Sequence, residues 1–178
     1  MTRRFSFVGQ SARRSVPGPI GFFLPIPIGP AIQAVMKEIL SYKKCFVCGQ
    51  QNLHGLKARF HFDGERALTK IVASEEFEGY QGLYHGGILA TLLDEVMIKA
   101  ILARGIFAVT AEMTIRFKRP VTTGDRIRFV GRVVSVKGRL YSTEGEALGD
   151  DGVAYATASG LYLEAKPGLK DLLTRSLE

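Results

Sequence analysis

The sequence lacks tryptophan, has only two cysteines among its 178 residues, and contains no apolar run of the roughly 20 residues that a membrane-spanning helix needs. Two cysteines cannot build the disulfide framework of a small secreted domain, and their Cys-x-x-Cys spacing suits a reducing compartment. The composition, with 46% apolar and 23% charged residues, excludes collagen, coiled coil and wholesale disorder. We therefore expect a soluble cytoplasmic protein that does not bind membranes.

Acidic residues are absent before Glu38, whereas four arginines and five of the seven prolines fall within the first 30 residues. Because proline removes backbone donors and disfavours helix before it, we interpret residues 1–35 as an extension outside the core. Its Arg-rich start is also similar to a transit peptide, residues 21–28 are loosely similar to a secretory apolar region, and Met36 is an alternative start. From Met36 onward, 20 basic and 17 acidic residues leave a net charge of only +3, so we expect no nucleic-acid partner.

The periodicity after this extension predicts one α+β domain over residues 36–166, followed by a C-terminal tail over 167–178 that can form a helix. The expected elements are a short helix at 31–42, two strands at 56–62 and 67–73, a long buried helix at 86–103, and four strands at 106–118, 126–136, 140–148 and 152–164. Asp63-Gly64 predicts the first hairpin, and Gly131 predicts a bulge. A single apolar helix followed by a meander of strands indicates an antiparallel sheet wrapped around that helix.

The most informative segment runs from Tyr84 to Asp94 and reads YHGGILATLLD. Two glycines at a helix start expose unpaired backbone N–H groups, which bind anions or a developing oxyanion. Asp94 lies two turns further along the helix, beside its apolar stripe, and is either a desolvated functional group or an ordinary solvated one. Glu95 is rotated by about 100° around the helix axis, and we expect it to be the solvated carboxylate.

These residues resemble a known family. His-Gly-Gly with an aspartate nine residues after the histidine, and a Gly-Tyr-x-Gly loop upstream, is similar to the hotdog-fold acyl-CoA thioesterases of the phenylacetyl-CoA (PaaI) type, within the 4-hydroxybenzoyl-CoA thioesterase superfamily. The segments CFVCGQQNLHGL (residues 45–56) and FKRPV (residues 117–121) also resemble its members. The resemblance covers residues 40–165 and implies a hotdog fold and a homodimer or homotetramer.

The resemblance also implies site residues. The Gly86 backbone N–H would polarise the thioester carbonyl, and Asp94 would act as general base or nucleophile. Since eight helical residues separate them by about 12 Å, one chain cannot complete the site, whereas a two-fold dimer with its helices side by side can. Thr110 would orient the attacking water or the carboxylate, although alternation places it opposite the apolar face of its strand. His85 either holds the loop or donates to the carbonyl.

Substrate contacts are expected at the helix start and at strand ends. Gln81 could supply an amide in the region where the family frequently has an asparagine, and Gly87 permits close helix packing. Cations beside the nucleotide portion of coenzyme A would bind its phosphates, and the residues expected there are Lys118, Arg119, Lys137, Gly138 and Arg139.

The cysteine pair, Cys45 and Cys48, is similar to half of a zinc knuckle, but a four-ligand site needs a second pair. His54 and His61 match no finger spacing, and a redox pair would favour a strand-to-helix turn. A metal shared between subunits is an alternative. We interpret the pair as structural and expect neither a metal nor another cofactor.

We therefore expect an acyl-CoA thioesterase. A non-catalytic acyl-CoA sensor on the same fold is the alternative, although a pure binder would not need Asp94. A hotdog dehydratase or hydratase would need a different Asp/His arrangement, and the chain offers only three histidines. The acyl-chain preference and the choice between dimer and tetramer stay open.

Overall fold

The computed structural model describes residues 36–177, so the predicted extension over residues 1–35 lies outside the described part. In chain order the elements are β1 (Lys37–Glu38), β2 (His61–Phe62), β3 (Arg66–Val72), a 3₁₀ helix (Glu75–Phe77), β4 (Glu78–Tyr80), β5 (Leu83–Tyr84), α1 (Gly86–Leu102), β6 (Ala108–Phe117), β7 (Arg126–Lys137), β8 (Leu140–Leu148), β9 (Ala154–Glu164) and α2 (Pro167–Arg175). Over these residues, neither α-helix is long and apolar enough to cross a membrane. The domain boundary placed after residue 166 stays a prediction.

Seven strands form one antiparallel sheet in the order β1-β2-β3-β7-β8-β9-β6, while β4 and β5 form a separate hairpin. The predicted hairpin between β2 and β3 is present, with Gly64 at a φ of 101° that favours glycine. Asp63 stabilises this turn, since one of its carboxylate oxygens accepts the Glu65 N–H at 3.0 Å. The α+β architecture predicted from periodicity is therefore confirmed, and α1 packs against the seven-stranded sheet, where it contacts β3, β6, β7, β8 and β9.

The N-terminal segment differs from its prediction, because the helix expected over 31–42 is wrong for the residues from 36 onward. Lys37–Glu38 instead pair with β2, and the Ile39 N–H donates to the Phe60 carbonyl at 2.8 Å. A neighbouring strand thus takes the backbone donors that a helix would have used, and tertiary pairing overrides local propensity.

The strand predicted over 56–62 is regular only at His61–Phe62. Leu56 and Ala58 donate instead to carbonyls of the preceding loop, at 2.7 and 2.8 Å. The alternation still decides burial, since Ala58 and Phe60 are buried while Lys57 and Arg59 are exposed.

Helix α1 buries the wide apolar stripe that its sequence predicted. The stripe consists of Leu89, Leu92, Leu93, Val96, Met97, Ala100 and Ile101, all of which are buried. Burying each of the larger side chains contributes roughly 1.5–3 kcal/mol, so this face supplies much of the energy that holds the helix in the sheet.

Two glycines in the middle of the sheet set how closely α1 approaches it. A Cβ at Gly131 of β7 would lie 2.6 Å from the carbonyl carbon of Val96, and one at Gly145 of β8 would lie 2.9 Å from Met97 Cγ. The bulge predicted at Gly131 is wrong, because this residue pairs in register with Gly145. The irregularity of β7 lies between Val133 and Ser135. Gly131 therefore serves helix packing rather than strand bending.

Candidate active site

The start of α1 is organised by His85. This residue is the N-cap of the helix, and its Nδ1 accepts the Gly87 N–H at 2.8 Å. A Cβ at Gly87 would lie only 2.8 Å from that same nitrogen, so the absence of a side chain at Gly87 is what admits the cap. His85 thus holds the helix start, as one of its two predicted roles requires.

Gly86 is the first residue of the helix and is exposed. The cap uses the N–H of Gly87, and no described residue accepts the N–H of Gly86. The residue lines a groove of about 630 Å³ that also contains Phe117, Lys118 and Arg119. The unpaired backbone donor predicted from the sequence therefore belongs to a residue that lines an open groove.

Asp94 lies in the middle of α1 and is half-buried. Its Oδ1 accepts the Thr110 hydroxyl at 2.9 Å and the Tyr162 hydroxyl at 2.8 Å. Burial and the nearby carboxylate raise the pKa of Tyr162, so this phenol keeps its proton and remains a donor at neutral pH. Two hydroxyls thus fix one oxygen of the carboxylate, while no described residue donates to the other.

A β-bulge explains how Thr110 reaches Asp94. Thr110 pairs with Tyr162, but Glu112 pairs with Leu161, so Ala111 is an extra residue in β6. Strict alternation placed Thr110 opposite the apolar face of the strand. The inserted residue reverses the alternation at this point, so Thr110 shares the helix-facing side with Met113 further along.

Tyr162 was not among the site residues that the sequence predicted. It lies on β9 in the same alternating row as the small residues Ala156, Ala158 and Gly160, and it is 0% exposed. Continuing that row by two positions would have identified a buried tyrosine facing the helix. A buried phenol needs a hydrogen-bond partner, which is the signal that sequence reasoning passed over.

Gly86 and Asp94 are separated by about 12 Å along the axis of one helix, as the helical rise predicts. Within one chain they therefore do not form a common site. Strand β6 is the last strand of the sheet, and within residues 36–177 only β9 pairs with it. Its free ten-residue edge passes beside Asp94 through Thr110, so a second copy at this edge would lie next to the carboxylate.

The predicted phosphate-binding cations fall into two groups that the structure keeps apart. Lys118 is exposed at the rim of the groove near Gly86, whereas Arg119 makes a two-oxygen ion pair with Asp151 at 2.8 Å and stacks on the Tyr155 ring. Of the two cations predicted at this groove, Lys118 is therefore the one that no described acidic residue pairs with.

Lys137, Gly138 and Arg139 form the β7–β8 turn at the other end of the sheet. The register pairs Leu140 with Leu163 beside the start of β6, about 27 Å from the end of that strand at 3.4 Å per residue. One chain thus cannot bring both groups of cations to one small ligand. Arg139 also donates to the Glu164 carbonyl oxygen.

Gln81 lies in the exposed turn between β4 and β5, next to Gly82, whose carbonyl accepts the Thr123 N–H at 3.1 Å. The turn is thus tied to the loop that follows β6. Gln81 is close in sequence to the helix start but does not line the groove that contains Gly86.

Glu95 corrects an expectation, because it is not solvated: only 12% of its side chain is exposed. Burial, and then the nearby Cys45, raise the pKa of Glu95 to about 7. The Lys99 ammonium lies 3.6 Å from its Oε1, and this lysine is 0% exposed. Cys45 and Cys48 are free thiols beside the same carboxylate, and a hydrogen bond from the Cys48 thiol lowers the pKa of Cys45 to about 5.

Comparison with known proteins agrees with this geometry. A family model described as "Thioesterase superfamily" matches residues 81–156, a range that contains Gly86, Asp94 and Thr110. Bovine (Bos taurus) acyl-coenzyme A thioesterase THEM4 is 28% identical over 136 residues, which are 75% of this chain and 56% of THEM4. The chain therefore spans less than two thirds of this relative.

Solved structures with the same fold are numerous. A thioesterase superfamily protein is 25% identical with a TM-score of 0.63, covering 68% of this chain and 60% of its own. The PaaI protein from the phenylacetic acid degradation operon of E. coli is 22% identical with a TM-score of 0.55, covering 57% and 73%. A hypothetical thioesterase of Streptococcus pneumoniae, solved with coenzyme A, is 18% identical with a TM-score of 0.55, covering 57% and 79%.

The same Streptococcus pneumoniae protein has also been solved as two variants, in which a threonine or an aspartate 16 positions before it is replaced by alanine. The structural neighbours share the fold described above. The fold is therefore the hotdog fold, and residues 81–156 match the thioesterase superfamily model, in agreement with the PaaI-like resemblance of the motifs.

Proposed function

We propose that this protein is an acyl-CoA thioesterase, with Asp94 as the general base or nucleophile and the Gly86 N–H of a second subunit as the oxyanion donor. The observation that carries the proposal is the Asp94 carboxylate, whose Oδ1 is held by two hydroxyls at 2.8 and 2.9 Å. Because its orientation is fixed by neutral donors rather than by a salt bridge, the free oxygen keeps its capacity to accept a proton or attack a carbonyl.

The reaction follows from these two groups. Asp94 takes a proton from water, and the resulting hydroxide adds to the thioester carbonyl carbon. The oxyanion that forms accepts a hydrogen bond from the Gly86 N–H. The tetrahedral intermediate then expels the sulfur of coenzyme A, which takes the proton back from Asp94. The products are a free carboxylic acid and coenzyme A. If Asp94 attacks directly, its carboxylate forms a mixed anhydride with the acyl group while the C–S bond breaks and coenzyme A leaves as a thiolate. Water then hydrolyses the anhydride, which restores Asp94 and supplies the proton of the thiol.

The relatives support both the substrate and the residues. One relative is named an acyl-coenzyme A thioesterase, and a structural neighbour contains coenzyme A. Asp94 and Thr110 are 16 positions apart, which is the separation of the aspartate and threonine replaced in the Streptococcus pneumoniae variants. This coincidence supports a shared role for the pair.

Coenzyme A binding would use the groove at the helix start. Phe117 and Leu89 give the groove apolar walls, and Lys118 places an ammonium at its rim. The pantetheine arm would lie on the apolar walls while Lys118 contacts phosphate. The cations of Lys137–Arg139, at the far end of the sheet, could join only from another subunit, so a homodimer or a homotetramer is part of the proposal. A cytoplasmic location is also part of it, because both cysteines are free thiols.

Thiol release from a panel of aliphatic and aromatic acyl-CoAs tests the proposal. Wild type and Asp94→Asn are compared, with Asp150→Asn as the matched control, since Asp150 is exposed in the β8–β9 turn away from α1. A positioned base contributes about 10²–10⁴-fold to a rate, so kcat should fall by that factor in Asp94→Asn and be unchanged in Asp150→Asn.

Two outcomes would contradict the proposal. Equal turnover by wild type and Asp94→Asn would remove Asp94 from the chemistry. If wild type binds acyl-CoA in calorimetry but turns over no member of the panel, the protein is the non-catalytic sensor instead.

A further inference from the structure

A second polar cluster lies on α1 one residue beyond Asp94. The loop before β2 places Cys45 and Cys48 against Glu95, and the sulfur atoms and a carboxylate oxygen all lie within 4.8 Å of one another. The Cys45 Sγ is 3.9 Å from each of the two Glu95 oxygens. The proposed hydrolysis uses none of these three side chains.

The spacing fits a tetrahedral metal ion. With zinc–sulfur bonds of about 2.3 Å and zinc–oxygen bonds of about 2.0 Å, tetrahedral angles put a sulfur and an oxygen about 3.5 Å apart and two sulfurs about 3.8 Å apart. The observed 3.9 Å between Cys45 Sγ and the Glu95 oxygens is within half an ångström of that separation. Only small side-chain adjustments are needed for all three atoms to bind one ion.

The loop backbone is already arranged for a thiolate ligand. The N–H groups of Val47 and Cys48 point at the Cys45 Sγ, at 3.3 and 3.5 Å. Backbone donors that orient a coordinating sulfur are typical of outer-shell support at metal sites. Gly49 follows directly, and a Cβ there would lie 2.6 Å from the Cys45 carbonyl oxygen, so this tight loop requires glycine.

The charges also balance around a divalent cation. Two thiolates and a carboxylate carry three negative charges, a divalent cation leaves one, and the Lys99 ammonium, 3.6 Å from Glu95, neutralises it. Lys99 is 0% exposed and also donates to the Leu40 carbonyl oxygen, so it is fixed in place. A fully buried lysine beside three acidic donors is costly unless the whole group is paired.

We propose that Cys45, Cys48 and Glu95 bind one zinc ion, with water as the fourth ligand, and that the ion fastens the loop of residues 42–55 to the middle of α1. Cys45 is half-buried, which leaves a path for water on its side of the cluster. Both sulfurs bind the ion as thiolates, and any thiol proton that they still carry is released to solvent, without any redox step. Since Asp94 directly precedes Glu95 on α1, the ion would also stiffen the turn that carries the proposed catalytic carboxylate.

Metal binding is measured directly on the full chain, purified under reducing conditions without chelator. We expect about one zinc per chain by mass spectrometry of the metal content. Replacement by Co²⁺ should give the intense thiolate-to-cobalt absorption of a site with sulfur ligands. A wild-type protein that retains no zinc, takes up none when it is added, and shows no such absorption overturns the proposal before any variant is made.

Variants then assign the ligands. Cys45→Ser should abolish the cobalt absorption, and Glu95→Gln should weaken zinc binding at least tenfold in competition with a chelator. Glu144→Gln is the matched control, because Glu144 is also partly buried and ion-paired but lies on β8, and its zinc affinity should equal that of wild type. Circular dichroism establishes that each variant is folded.

A chelator should lower the Tm of wild type but not that of Cys45→Ser. Zinc affinity that is unchanged in Glu95→Gln would remove Glu95 from the site. The protein is also purified without reductant but with zinc present, and its mass is measured. A mass two hydrogens below that of the dithiol form would mean that Cys45 and Cys48 form a disulfide instead, which would also overturn the proposal.

Discussion

The proposed division of the active site between two subunits can be tested by removing one functional atom from each. Gly86→Pro deletes the backbone N–H at the first position of α1, where proline is well tolerated. His85 precedes it with φ −65° and ψ 126°, an extended conformation that a following proline accepts. Gly86→Ala is the matched control, since it keeps the N–H and its Cβ would be 3.6 Å from the Phe117 ring, an ordinary contact.

The magnitudes follow from the roles. Removing one oxyanion donor costs roughly 10²–10³ in kcat, so Gly86→Pro should lose that factor while Gly86→Ala stays near wild type. Asp94→Asn should lose about 10²–10⁴. Each homodimer is then nearly inactive. Since about 12 Å separates the two groups in one chain, they would act together only across the proposed dimer.

A heterodimer of Gly86→Pro and Asp94→Asn chains, isolated with two different affinity tags, combines an intact Gly86 with an intact Asp94 at one of its two sites. Thiol release per dimer should therefore recover to about half of the wild-type rate. An isolated heterodimer as inactive as its parents would refute the shared site. Wild-type turnover by Gly86→Pro would refute the oxyanion role.

Three further outcomes are expected. Tyr162→Phe removes one charge-assisted hydrogen bond to the Asp94 carboxylate, which is worth roughly 1.5–3 kcal/mol. The kcat should therefore fall about ten- to a hundredfold at constant KM. An unchanged kcat would mean that the phenol does not position Asp94. Gly131→Ala should lower the free energy of unfolding in urea by about 1–3 kcal/mol, and by more than Gly145→Ala, whose Cβ meets a flexible side chain instead of backbone; equal losses would contradict this packing. Burial opposes ionisation of Asp63, but neighbouring backbone N–H groups and a guanidinium lower its pKa overall. The ionised carboxylate therefore stabilises the folded protein above the unfolded pKa of about 3.9, and this stabilisation is lost as the pH falls through the folded pKa. In urea unfolding at a series of pH values, Asp63→Asn should show a smaller loss of stability at acid pH than wild type.

The elements that the sequence predicted well are those with a long, unbroken period. The stripe of α1 repeats over four turns, β8 alternates throughout, and β9 carries a row of small residues at alternate positions, so their bounds agree with prediction within two residues. The segment before β2 failed because its structure depends on partners far along the chain. The Ile39 N–H bonds to Phe60, for example, and no local pattern records that contact.

The site was predicted in type better than in geometry. Asp94 and the helix-start glycine were identified from residue types, but the bulge at Ala111 was not. A single inserted residue reverses which side chains of a strand face the core, and it leaves no mark on composition. Thr110 was therefore placed on the wrong face by alternation, although the resemblance assigned it to the site.

The Asp94–Glu95 pair shows why neighbouring carboxylates on one helix cannot be assigned by the apolar stripe alone. A rotation of about 100° around the helix axis directs Asp94 to β6 and β9 and directs Glu95 to the loop of residues 42–55. Both sides of the helix are thus covered by segments that are distant in the sequence. Neutral hydroxyls hold the first carboxylate, while Lys99 and two thiols surround the second. No described residue donates to the second oxygen of Asp94, which the proposed hydrolysis would use, and Glu95 lies beside the thiols and the countercharge that the proposed zinc site would use. Loss of zinc would then lower kcat only indirectly, through the helical turn that carries both carboxylates, because the hydroxyls that contact Asp94 stay in place. Replacement of Asp94 would leave zinc binding unchanged.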